Sequence, residues 1–115
     1  GELRGLDATD GTRLWQSDRM NAQDRWATAY FVRHNDRYFV TNDDGYLIIA
    51  RFSPEGYEEI DRTLLLMPTT RTQGGASGRW GDRAVLWAHP AFANQHVVVR
   101  NDVEVVRISL ASDDY

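Results

Sequence analysis

Trp87 and His89, in Leu86-Trp87-Ala88-His89-Pro90, are the residue types best suited to hold a small ligand. An indole offers a flat apolar face for stacking, and an imidazole can carry a proton near neutral pH or ligate a metal ion. The competing assignment is packing, with Trp87 filling space between sheets and His89 bonded to a backbone carbonyl ahead of Pro90. A second group is oxygen-rich: Asn42-Asp43-Asp44 and Asn101-Asp102-Val103-Glu104 carry side chains of the kind that hold calcium. Twelve-residue calcium-loop spacing is absent, and Asn and Asp serve tight turns equally well, so these segments read as turns and no metal is expected. A third group surrounds Gly74-Gly75-Ala76-Ser77-Gly78, where Arg71, Arg79, Trp80 and Arg83 could meet an anionic or protein partner. The glycines lack the lysine of a phosphate-binding loop and read as a flexible connection.

Several chemistries are excluded by residue type. The chain has no cysteine, which removes thiol nucleophiles, thiolate metal sites and disulfides. All 13 basic residues are arginine, so no lysine amine is available for Schiff-base chemistry. No Gly-x-Ser-x-Gly elbow and no His-Glu-x-x-His motif is present, and no catalytic residue is nominated. A formal net charge of -4 disfavours a nucleic-acid surface, which needs a dense cationic patch. No apolar run reaches the roughly 20 residues needed to span a bilayer.

The elements that would position these residues read as strands and turns. Gly5-Leu6-Asp7-Ala8-Thr9-Asp10-Gly11-Thr12-Arg13-Leu14-Trp15 has the form of two strands joined by a tight turn and closed by an indole. Tyr38 to Thr41, Asn42 to Gly45 and Tyr46 to Ala50 make strand, turn and strand, and His96 to Arg100, Asn101-Asp102 and Glu104 to Ser109 repeat the arrangement 59 residues on. Gly1-Glu2-Leu3 aligns with Gly45-Tyr46-Leu47 at an interval of 44, and the 15 residues from Pro68 to Asp82 account for the difference between the two intervals. The shorter interval is close to the roughly 40 to 50 residues of one propeller blade.

With Asp7, Gly11 and Trp15 in place, the first hairpin resembles the docking motif Ala-x-Asp-x-x-Thr-Gly-x-x-x-Trp of the pyrroloquinoline-quinone-like propeller repeat. Gly5 stands where that motif has Ala, and Asp10 where it has Thr. The run from Leu86 to Asn94, followed by Val97 to Asp102, resembles the last blades of bacterial propellers of this group. The resemblance implies an all-β fold: a partial β-propeller of antiparallel four-stranded blades, about two to three of them. It places the outer half of a blade at 1–17, a complete blade at 27–67, a loop insertion at 68–82 and most of a third blade at 83–110. Within these, strands are expected near 27–34, 37–41, 46–53, 56–64, 84–92, 96–100 and 104–110, with Trp87 and His89 on an inner strand. Tyr46 to Ala50 and Val97 to Val99 lack polar alternation, as strands covered on both faces do. Tyr57 to Arg62 carries charges of both signs, which suits an outermost edge.

The function expected from this reading is a non-catalytic binding or scaffold module that meets a protein partner or further propeller blades, with no cofactor. Open blade faces beside Trp15 and around Val97 to Val99 are expected to drive homo-oligomerisation. The alternative is part of a quinone-dependent oxidoreductase completed by residues outside this chain. The resemblance also implies a periplasmic or extracytoplasmic setting.

Overall fold

The computed structural model describes residues 1–21, 24, 27–71 and 83–112. Among these residues the chain is all-β, with eleven strands, every pairing antiparallel and no helix. No helix of the described residues is long and apolar enough to cross a membrane.

The first hairpin pairs β1 (Leu3–Leu6) with β2 (Arg13–Ser17). A four-stranded sheet follows in simple order: β3 (Ala29–His34), β4 (Arg37–Asn42), β5 (Tyr46–Ser53) and β6 (Gly56–Leu64). These strands agree closely with the sequence expectation, because each boundary is set by turn chemistry. Asn35, at φ 55°, takes the left-handed region in the two-residue loop between β3 and β4. At β6 the register slips past Ile60, and this bulge combines with the charged residues to make a poor template for an intruding strand.

Two short strands, β7 (Thr70–Arg71) and β8 (Ala84–Val85), pair with each other. The last sheet has three strands in the order β9 (Ala91–Ala93), β10 (His96–Arg100) and β11 (Val105–Ser109). Asn94 and Gln95 join β9 to β10 with φ values of 49° and 58°, the two positive angles of a type I′ hairpin. The single strand expected over 84–92 is therefore divided. Its first two residues pair with β7, its last two belong to β9, and Leu86 to Pro90 form an irregular connection.

The four-stranded sheet is covered on both sides. Val40, Ile48 and Ala50 share one face and form a buried cluster with Met20, joined by Leu3 of the first hairpin and by Tyr38, Phe52 and Tyr57. On the opposite face Phe39 stacks on Phe92 of the three-stranded sheet, and Leu47 and Thr41 are buried there. The three-stranded sheet turns Val97 and Val99 inward with Leu66 and Leu86. This double cover explains the unbroken apolar run from Leu47 to Ala50.

The repeated turns make the same tie. Asn42 donates from Nδ2 to the Met20 carbonyl at 3.1 Å while its Oδ1 accepts from the Tyr46 amide at 3.1 Å. Asn101 donates from Nδ2 to the Met67 carbonyl at 2.9 Å, and its Oδ1 accepts from the Val103 and Glu104 amides, each at 2.8 Å. In both places one carboxamide closes its own turn and holds the segment that leads in from the preceding sheet.

Gly45 completes the first turn. Its φ is +88°, and a Cβ there would collide with the Leu66 carbonyl. Its own carbonyl accepts from the Leu65 amide at 2.9 Å, so β6 exits directly across the turn. Gly45→Ala is expected to cost more than about 3 kcal/mol, by combining backbone strain with a clash against main chain. Gly11→Ala, at a similar φ of +77° but facing open space, is expected to cost only about 1 kcal/mol. Thermal unfolding of the two variants checks this, and equal losses would contradict it.

Candidate functional site

Trp87 and His89 lie in the irregular connection between β8 and β9 rather than on an inner strand. The reason lies upstream, where the Leu86 amide donates to the Asp43 carbonyl at 2.7 Å and cannot pair in a ladder. Leu86 is buried, and the chain after it bends over β3. Tyr30 donates its hydroxyl to the Trp87 carbonyl at 2.8 Å, and its ring packs on the His89 imidazole with centroids 3.9 Å apart and planes tilted by 39°. His89 therefore stacks on Tyr30, and the Trp87 main chain is held in place. The Trp87 indole remains 40% exposed beside a cavity of about 210 Å³ that it lines with Thr70, Arg100, Asn101 and Asp102.

The acidic turns are structural junctions. Asp43 is 1% exposed; its Oδ2 accepts from the Thr28 amide at 3.2 Å and pairs with Arg83 Nη2 at 2.5 Å. The same guanidinium approaches Asp24 Oδ2 at 2.6 Å and Asp44 Oδ1 at 3.3 Å. One arginine thus sits among three carboxylates from two segments. The Asp44 carboxyl is nonetheless held above its usual range, first by burial and then by the charge of Asp43, with Arg83 opposing both. In the second turn Asp102 accepts at Oδ2 from the Thr70 hydroxyl at 2.7 Å and from the Thr69 hydroxyl at 3.3 Å. These oxygens bind β7 to the last sheet, and among the described residues no group of three or more acidic or histidine side chains is arranged to hold a metal ion.

Of the proposed partner-binding residues, Arg83 sits in this ion cluster with its side chain 24% exposed. Arg71 is the last residue of β7 and faces Ala84 across the pair. Arg79 and Trp80 lie outside the described residues, as does most of the 68–82 insertion.

The first hairpin supplies an open apolar surface. Asp7 Oδ1 accepts from the Thr9 hydroxyl at 2.6 Å and the Thr9 amide at 2.8 Å, bonds that hold its carboxyl below the usual range. The Gly11 amide returns to the Asp7 carbonyl at 2.8 Å and closes the loop. Trp15 lies over Gly5 and donates from Nε1 to the Ser53 carbonyl at 2.9 Å, fastening the hairpin to the end of β5. Beside it runs a groove of about 400 Å³ lined by Leu6, Leu14, Trp15, Phe31, Tyr38 and Phe52. Leu6 is 58% and Leu14 46% exposed. Phe31, Phe52 and Tyr30 had no motif to mark them; the strand patterns of β3 and β5 were the signal available.

The described residues thus define an all-β chain of antiparallel sheets joined at asparagine turns. No family model, curated protein or solved structure matches the chain.

Arg83→Gln is expected to destabilise the protein by about 2 to 3 kcal/mol near pH 7, below the cost of breaking a fully buried pair because the Arg83 side chain is a quarter exposed. An acid whose folded pKa is raised adds stability as pH falls and loses it as pH rises, so Asp44, raised by burial and by Asp43 and no longer opposed by Arg83, gains from acid in the variant. The gap between variant and parent should narrow between about pH 7 and pH 4.5 in denaturant titrations. A gap independent of pH would contradict the ion cluster.

Proposed function

We propose that this chain is a non-catalytic binding or scaffold module, part of a quinoprotein-like β-propeller that meets a protein partner or further blades through its outer sheet faces. The observation that carries this reading is the open groove at the first hairpin, where Leu6, Leu14 and Phe31 stand exposed around Trp15. A contiguous apolar surface of this kind is costly in water and is relieved when another apolar face covers it. Further support comes from how the chemically apt side chains are used. Asp43 and Arg83 neutralise one another, Asp102 ties down Thr70, and His89 packs on Tyr30. The repeated asparagine tie, with copies at 42 and 101, suits an architecture built by stacking equivalent sheets.

Static light scattering and binding of an apolar-sensitive dye test this reading together. The parent chain is expected to self-associate as concentration rises and to bind the dye. Leu6→Glu/Leu14→Glu should lower both signals while leaving the melting temperature within a few degrees, since both side chains are already half exposed. A parent that stays monomeric and binds no dye would overturn the proposal.

A further inference from the structure

Between the four-stranded and three-stranded sheets, His34, Arg37 and Phe39 on one side and Phe92 to His96 on the other line a cavity of about 610 Å³. This volume falls within the roughly 300 to 1,000 Å³ typical of small-molecule sites. Three flat rings span the gap. His34 and Phe39 stack with centroids 5.2 Å apart and planes within 14°, and Phe39 and Phe92 stack at 5.4 Å and 12°. Near-parallel planes at that spacing are offset stacks, and another planar ring can extend such a series.

The polar lining is one-sided. Arg37, His34 and His96 line the cavity, and among the described residues that line it none is Asp or Glu. That bias stands out in a chain with 17 acidic and 13 basic residues. Asp36, beside Arg37 in the sequence, lies 3.8 Å from it but also accepts from Arg51 Nε at 3.2 Å, and the Arg51 bond holds it below its usual range. His96 Nδ1 lies 2.7 Å from the Asn94 carbonyl, which assigns its proton to that nitrogen and fixes the ring, and the Arg107 guanidinium stands 3.4 Å away. The Arg37 guanidinium beside a stack of flat rings matches a ligand that is planar at one end and anionic at the other.

We propose that this inter-sheet pocket binds a small planar aromatic carboxylate, with its ring against the His34–Phe39–Phe92 series and its carboxylate at Arg37. The site is separate from the hairpin groove and does not depend on the scaffold reading.

The test is a titration of the full chain with 2-naphthoate, followed by amide chemical shifts, alongside 2-naphthamide and cyclohexanecarboxylate. Naphthoate is expected to shift resonances of Arg37, Phe39, Phe92 and His96 and to bind about tenfold more tightly than either control, one lacking charge and the other the flat ring. Arg37→Gln, at the cavity edge, should weaken naphthoate and leave naphthamide unchanged. Equal affinity for acid and amide, or no shift at about 5 mM naphthoate, would overturn the proposal. Asp113→Asn/Asp114→Asn is titrated in parallel, because these carboxylates follow Ser112, a lining residue, in the sequence. Binding seen in the parent supports a site for an external ligand; binding seen only in that variant would overturn it in favour of internal carboxylates.

Discussion

The architecture depends on two carboxamides. Asn42 and Asn101 each use an acceptor to close a turn and a donor to hold the carbonyl of a connecting segment, Met20 in one case and Met67 in the other. Only an amide side chain offers both functions at that length; aspartate lacks the donor and serine cannot reach in two directions. Asn42 is buried with the Met20 carbonyl, so losing the bond would leave polar groups without water, a cost of about 1 to 3 kcal/mol. The sheets are antiparallel and locally connected, and each could form from its own hairpins. Their placement beside one another has to come from contacts like these, supplemented by apolar cover.

Around the first turn the main chain converges. Asp43 receives the Leu86 amide, Gly45 receives the Leu65 amide, and Asp43 itself bonds back to Thr28. Segments from before β3, after β6 and before β9 therefore meet at four consecutive residues. Burying Asp43 at such a junction requires a counter-charge, and Arg83 supplies it while also reaching Asp24 and Asp44. Asp43, Arg83 and Asp102 are thus engaged in joining segments, and open surfaces lie at the hairpin groove, beside the exposed Trp87 indole and in the ring-lined cavity between the sheets.

What the sequence disclosed follows from the range of the forces involved. The strands from Arg37 to Leu64 were readable because their turns are local, with Asn35 and Gly45 at positive φ. Trp15 was readable as an anchor because the hairpin that presents it is local too. By contrast, the division of 84–92 into β8, a bend and β9 is imposed by the Leu86 bond to Asp43, 43 residues away. No periodicity encodes such a bond. The same limit applies to Arg83, whose carboxylate partners come from other segments, and to the stacking of His34, Phe39 and Phe92, which needs two sheets in register before it exists.

Native-state hydrogen exchange probes the central claim most directly, because the Leu65 and Leu86 amides lie outside regular ladders yet donate to the turn. If that turn joins the sheets, both amides should be protected to the level of Val40 and Ile48 in the core, and Asn42→Ala should lower all four together. Leu65 and Leu86 exchanging at the rate of open loops, with Val40 and Ile48 still protected, would show that the sheets are held together by something else.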